Sequence, residues 1–247
     1  MLDLAIYVCA HRTVDAGTFT AFELFRLNAK INYLILTLTG DALIGRARSI
    51  CCTKFLQNFY EKKVSSAPYM LFVDDDILFK PDDIHRIYRD LKNGNDLVGG
   101  AYPVKDGTEL ACTGYGEDQP FDGRLIDCRY LATGFMGISA KLLDKMVKEL
   151  KMSHWNEKAE LTNIPLLHKG IWCEDYPFFE NYGRVDSPFG AIWLSEDYEF
   201  CEKAHKVGIT PKLDTGIQLR HVGQRIYSFD EVAEVHKKRR EANAQSS

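Results

Sequence analysis

Three consecutive carboxylates, Asp74-Asp75-Asp76, are the sharpest chemical signal in the chain. They follow directly on Tyr69–Val73 (YMLFV), an uninterrupted apolar run of the kind that makes a central strand covered on both faces. The triplet therefore falls at the carboxyl edge of a sheet, where open α/β folds gather their ligands. If the backbone stays extended, Asp74 and Asp76 point to one side and Asp75 to the other. Two carboxylates on one side repel each other, so either one takes a proton or a divalent cation, which prefers hard oxygen ligands, settles the conflict. The competing reading is a solvated acidic turn. Helix capping explains little, because Asp82 and Asp83 already supply negative charge to the first turn of a helix opened by Pro81.

Other residues carry weaker signals. With Ser195 as an N-cap, Asp197 of Ser195-Glu196-Asp197 lies in a first helical turn, where the helix dipole keeps a carboxylate ionised and oriented. Such a group can act as a general base, or it can simply compensate the dipole. His221, before Val222-Gly223, reads by itself as a packed or surface residue as readily as a ligand. Gly134 and Gly137 in Thr133-Gly134-Phe135-Met136-Gly137 mark places where the backbone needs room or unusual dihedrals. Arg46 and Arg48 lie on an otherwise core-facing helix and either bind phosphate or snorkel to solvent.

The elements that would position these residues alternate between strand and helix. Leu4–Cys9 and Tyr33–Leu38 read as strands, with a helix between them carrying Phe22, Leu24, Phe25 and Leu27. Ile44, Ala47, Cys51, Phe55 and Phe59 step by three or four residues, as one buried helical face does. After Tyr69–Val73, a helix from Pro81 stops at Asn93-Gly94, and Asp96–Ala101 is a further strand. Leu125–Leu131 reads as a strand leading into the Thr133–Gly137 turn, followed by a helix with Leu143, Met146, Val147 and Leu150 in register. Met152–Leu194 lacks periodicity and is dense in prolines and aromatics, which suggests a functional loop or lid. A helix from Ser195 through Val207 and a strand over Pro211–Leu219 complete the core pattern. The expectation is a layered α/β fold with a mainly parallel central sheet flanked by helices, over residues 1–226. Residues 227–247 then form a polar terminal helix or tail, with Lys237-Lys238-Arg239-Arg240 as a solvated charge run.

Composition sets the frame. The 247 residues carry 31 basic and 35 acidic side chains, a formal charge of −4, with 45% hydrophobic residues. That excludes a disordered chain, a coiled coil and a collagen-like repeat, and argues against nucleic acid as a partner. No apolar run is long enough to cross a bilayer, and Asp3 stands where a secretory signal would be basic, so the expected location is the cytoplasm. Seven cysteines, with Cys51 and Cys52 adjacent and no C-x-x-C spacing, fit reduced thiols better than disulfides or a zinc site.

Taken in order, a strand-end DxD, TGFMG before a helix, SED opening a helix, and HVG after a strand resemble the GT-A fold of nucleotide-sugar glycosyltransferases, most closely its family 2-like members. The resemblance spans Leu4 to about Gly223 and includes the phrases GRARS, LFVDDDILFKPDDI, VGGAYPVK, ATGFMGISAKLLDKM, WLSEDYEFCEKAHKVGI and LRHVG. It implies that Asp74 and Asp76, with His221, hold Mn²⁺ or Mg²⁺ on the donor diphosphate, and that Asp75 faces the ribose. It implies Asp197 as catalytic base, Glu196 as a hydrogen-bonding partner of acceptor or sugar, and Thr133, Gly134, Phe135, Met136, Gly137 and Trp193 around the acceptor and donor sugar. Nucleotide contacts fall to Ala10, His11, Arg12, Asp41, Arg46 and Arg48. The opening AHRTVDAG departs from the usual P-x-x-N type and leaves the base open, with UDP placed ahead of GDP. The implied partners are a nucleoside-diphosphate sugar and a glycan, glycoprotein or small-molecule acceptor. A non-catalytic carbohydrate- or nucleotide-binding module is the alternative. A sugar-nucleotide pyrophosphorylase is disfavoured, because residues 10–18 offer only Gly17 for a phosphate loop.

Overall fold

A computed structural model describes residues 2–116, 119–153, 175–180, 184–187 and 190–245. Its first half follows the alternation in the sequence: β1 (Leu4–Ala10), α1 (Ala16–Asn28), β2 (Tyr33–Thr39), α2 (Ile44–Tyr60), β3 (Tyr69–Val73), β4 (Ile77–Leu78), α3 (Pro81–Lys92) and β5 (Leu97–Ala101). The second half adds β6 (Leu125–Asp127), β7 (Phe135–Ser139), α4 (Ala140–Glu149), the hairpin β8 (Arg184–Ser187) and β9 (Gly190–Trp193), and α5 (Glu196–Lys206). It ends with β10 (Lys212–Gln218), β11 (Arg220–Val222), β12 (Ile226–Ser228) and α6 (Phe229–Gln245).

Seven strands form the central sheet in the order β2-β1-β3-β7-β5-β10-β6. β1 pairs in parallel with β2 and β3, and β5 with β10, while β7 runs antiparallel to both β3 and β5, and β6 antiparallel to β10. Successive side chains of each strand serve opposite faces. Leu4, Ile6 and Val8 of β1 pack with Phe22 and Phe25 of α1 and Ile84, Ile87 and Leu91 of α3. Ala5, Tyr7 and Cys9 pack on the other side with Cys51, Phe55 and Leu56 of α2, Leu142 and Met146 of α4, and Phe200 of α5. Cys9, Cys51, Cys52, Cys112, Cys128 and Cys201 are all buried free thiols.

Several expectations need correction. Thr133–Gly137 is not a turn throughout, because Phe135–Gly137 belong to β7, in the middle of the sheet. Glycine is required at 137 because α3 lies directly above it: a Cβ there would stand 2.5 Å from Ile87 Cγ2 and 2.9 Å from Leu91 Cδ1. Leu125–Leu131 is a strand only as far as Asp127; beyond it Arg129 and Tyr130 donate their N–H groups to the Thr113 carbonyl instead of continuing the ladder with β10. On α2, Ala47, Cys51 and Phe55 are buried as the period requires, but Ile44 and Phe59 at its ends are exposed. The same holds for Leu24 and Leu27 of α1. Of the stretch read as a lid, residues 154–174 lie outside the described residues, whereas Phe178 and Phe179 are fully buried core. Phe179 stacks on Phe200 at 4.4 Å and meets Phe72 edge-on at 5.8 Å.

The polar end forms α6, whose Val232 is nevertheless buried in the core. No helix among the described residues is long and apolar enough to cross a membrane.

Candidate active site

A cleft of about 530 Å³ opens at the carboxyl ends of β1 and β3, and Asp74, Asp75, Asp76, Asp197 and His221 all line it. The acidic triplet does not continue as an extended strand. It turns at once into β4, with Ile77 N–H reaching back to Asp74 C=O at 3.4 Å, so Asp74 and Asp76 meet different partners.

Asp74 is committed to Arg48. The buried guanidinium of this α2 residue donates from Nη2 to both carboxylate oxygens of Asp74, at 2.8 and 2.9 Å, and from Nη1 to Glu196 Oε1 at 2.7 Å. Burial opposes a charge on Arg48, but the two carboxylates outweigh it and raise its pKa. Burial also raises the pKa of Glu196, with the Asp197 charge adding to the rise and Arg48 opposing it. Glu196 is thus tied into an ion triad through Oε1. Arg48 likewise faces carboxylates, not an open phosphate site.

Asp76 has another setting. A second, three-stranded sheet in the order β12-β11-β4 pairs His221 opposite Ile77, and Val222 N–H bonds Asp76 C=O at 2.9 Å. This ladder puts His221 Nε2 3.3 Å from Asp76 Oδ1. His221 Nδ1 lies 2.8 Å from the Pro103 carbonyl, which can only accept, so Nδ1 carries the proton and Nε2 in the neutral ring presents a lone pair. Two acceptors at 3.3 Å require a positive charge or a proton between them. Lys105 Nζ reaches the other oxygen, Asp76 Oδ2, at 2.5 Å. Burial would raise the Asp76 pKa, but His221 and Lys105 outweigh it and hold the carboxyl below its ordinary value. Asp75, by contrast, is raised by burial and by its two acidic neighbours.

Asp197, in the first turn of α5, accepts from its own helix start: Tyr198 N–H at 2.9 Å and the Ser195 hydroxyl both reach Oδ1. Ser195 occupies the cap position but spends its side chain on Asp197 instead of on a backbone N–H. The remaining nucleotide candidates gather at the end of β1. Ala10, His11 and Asp41 line a small adjoining pocket of about 120 Å³, and Asp41 is gripped by Arg46 through two hydrogen bonds of 2.6 and 2.7 Å. Arg12 is exposed.

Among the five residues of the TGFMG segment, Gly134 alone touches the site. Its N–H donates to the Tyr102 hydroxyl at 2.8 Å, and its carbonyl accepts from Asp74 N–H at 3.0 Å. A Cβ at 134 would lie 2.5 Å from the Tyr102 oxygen. Phe135, Met136 and Gly137 are buried within β7 and Thr133 is buried just before it, so these residues belong to the core beneath the cleft. Trp193 is exposed at the end of β9. Lys105 and Tyr102 were not singled out by sequence reasoning, although both stand in the phrase VGGAYPVK. An isolated lysine between two strands carries no periodic or spacing signal.

No group of three or more His, Cys, Asp or Glu side chains converges on one point among the described residues. The Asp76–His221 pair still suits a hard divalent cation: it offers one carboxylate oxygen and one imidazole lone pair, with the ring fixed by a carbonyl behind it, as metal-bound histidines are. The other coordination positions would fall to water or to oxygens of a ligand.

No family model and no curated protein matches this sequence. Among solved structures, A197 from STIV is similar with a TM-score of 0.55 at 15% identity, over 93% of this chain and 92% of that one. The chain shares the A197 fold. GalNAc-T7, solved with UDP, GalNAc and Mn²⁺, aligns with a TM-score of 0.47 at 9% identity, over 90% of this chain and 43% of its own. The architecture is a GT-A-like layered α/β fold with a mainly parallel seven-stranded sheet.

Proposed function

We propose that the chain is a metal-dependent glycosyltransferase that moves a sugar from a nucleoside-diphosphate sugar to an acceptor hydroxyl, with inversion. The observation that carries this reading is one cleft into which Asp76, His221 and Asp197 all open, each held by partners behind it. Asp76 and His221 would hold Mn²⁺ or Mg²⁺. The bound ion would neutralise the charge that grows on the departing diphosphate.

Asp197 would take the acceptor hydroxyl proton on an oxygen already fixed by the first turn of α5. A base so held needs no reorganisation as the proton moves. Arg48 would keep Glu196 and Asp74 in place beside it. It would also cancel part of the negative charge that would otherwise repel a diphosphate. The pocket at Ala10, His11 and Asp41 adjoins the cleft and would take the nucleobase, with UDP the expected donor nucleotide.

A panel of nucleotide sugars with Mn²⁺, read out as released diphosphate, tests the reading. Asp197→Asn should bind UDP as the wild type does and lose turnover by about 10²–10⁴. Wild-type turnover in that variant would return Asp197 to a helix-dipole partner, and no diphosphate release from any donor by the wild type would count against a transferase and favour a binding module.

A further inference from the structure

We propose that Lys105 is the resident cation of the Asp76–His221 pair, so that a divalent ion enters only together with a diphosphate able to displace it. The inference rests on the preceding reading of that pair as the metal anchor. Three observations carry it. The first is position: the ammonium meets Asp76 Oδ2 at 2.5 Å while His221 takes Oδ1, so both carboxylate oxygens already face a nitrogen.

The second is that the lysine's path is built. Its stem runs alongside Gly223, where a Cβ would lie at ordinary contact distance, 3.5 and 3.6 Å, from Lys105 Cγ and Cβ, so the β11–β12 turn flanks the chain on its way to Asp76. The third is the mounting. Lys105 sits in a turn between Val104 and Glu109, closed by Val104 N–H to Glu109 C=O at 3.0 Å and Gly107 N–H to Val104 C=O at 2.9 Å. Behind the turn, the Glu109 carboxylate accepts from His236 Nε2 at 2.8 Å and from Arg239. The neighbouring Pro103 carbonyl is the group that fixes the His221 ring. One short segment therefore orients the histidine and supplies the charge that sits on its partner.

The chemistry of exchange follows from ligand number. A divalent ion held by Asp76 and His221 alone has two protein ligands and must also expel a bonded ammonium. An ion arriving with a nucleoside diphosphate brings further oxygens and gives the freed ammonium a phosphate to face. Nucleotide and metal should therefore bind with strong mutual dependence, and Lys105 should be its source.

The test is titration of the full chain with Mn²⁺, followed by electron paramagnetic resonance of the free ion, with and without UDP. It uses wild type, Lys105→Met, which keeps the stem, and Lys105→Arg, which keeps the charge. Without UDP, Lys105→Met should bind Mn²⁺ about tenfold more tightly than wild type, as removal of one cation from a partly exposed site allows, and Lys105→Arg should not. Equal affinity in the three proteins, or weaker binding in Lys105→Met, would overturn the proposal. Asp76→Asn separates the two layers of the argument. If wild type binds Mn²⁺ with UDP and Asp76→Asn does not, the anchor stands and the Lys105 comparison decides the inference alone. If Mn²⁺ with UDP binds equally to wild type and Asp76→Asn, the anchor itself fails and the inference falls with it.

Discussion

Arg48 changes what the acidic triplet can do. Its guanidinium fork satisfies both oxygens of Asp74 and one of Glu196 from a site where it is itself 4% exposed, so three charges lock together between α2, the end of β3 and the start of α5. Removing one member of a buried ion group leaves the others uncompensated, which costs about 3–5 kcal/mol when burial is complete. Asp74 keeps a quarter of its side chain in solvent, and the loss for Arg48→Ala should be smaller, about 2–3 kcal/mol, read from urea unfolding. Arg48→Lys should recover little of it, because a point charge cannot serve two carboxylates in fixed directions. An unchanged midpoint in Arg48→Ala would mean that solvent screens the triad. The sequence shows Arg48 and Glu196 as two polar residues on separate helices, 148 positions apart, and nothing in either local pattern tells that they meet. For Asp74 the expectation of a shared cation rested on an extended backbone, and the turn into β4 removed that premise.

At the scale of elements, α3 shows how a surface helix can carry buried charge. Its capping residue Asp83 is 6% exposed and accepts from Lys80 N–H at 2.7 Å, yet burial raises its pKa to about 6. The sign follows from linkage. A carboxyl whose folded pKa lies above its unfolded value near 3.8 binds its proton more tightly when folded, so its contribution to stability improves as pH falls from about 6 toward 4. Asp83→Asn should therefore be more stable than wild type at pH 7 by about 2 kcal/mol, with the gap closing by pH 4.5. Thermal unfolding of both proteins across that range checks it; a constant gap would mean that Asp83 does not titrate there. Farther along α3, Arg86 holds the fully buried Asp214 of β10 through two hydrogen bonds of 2.5 and 2.9 Å. These contacts join the helix to β10, three places along the sheet from β3. The helix itself was legible, since Pro81, the apolar stripe Ile84, Ile87 and Leu91, and Asn93-Gly94 mark its start, face and end. The β7 strand was not. Gly137 within it and Gly134 just before it imitate turn chemistry, and only the position of α3 above it reveals that Gly137 answers a packing demand.

Across the whole molecule, the sheet separates two cores, and aromatic side chains carry much of the packing on the α2 side. Phe179 lies between Phe72 of β3 and Phe200 of α5, and its backbone N–H is bonded to Ser49 Oγ of α2 at 2.9 Å. Phe179→Ala should cost about 3–5 kcal/mol, since the void lies among groups already fixed by the sheet. A loss below about 1 kcal/mol in chemical denaturation would return this residue to the mobile surface that its irregular, proline-rich neighbourhood suggests. Most of the layered architecture could be read from the alternation of apolar runs and helical stripes in the first half of the chain. The convergence of Asp74, Asp75, Asp76, Asp197 and His221 on one cleft was legible as well, because strand ends and helix starts are marked in sequence. Pairings across distance, such as Arg48 with Glu196 or Lys105 with Asp76, depend on topology and on turns whose residues show no period.

The reversed direction of β7 has a consequence for how such a chain can change over time. Because β7 opposes β3 and β5, the chain leaves β5 at Ala101 and re-enters the sheet at Phe135 on the same rim, the one that borders the cleft. Everything between them, including the turn that carries Lys105 and the Tyr102 that seats Gly134, is an excursion that starts and finishes beside the chemistry. Apart from its short contact through β6, it takes no part in the ladders. Only part of this segment is an exchangeable cassette: Cys112, Cys128 and Leu131 are anchored in the core, so drift in length and composition is open to the exposed turn around Lys105 while those anchors and the frame are inherited together.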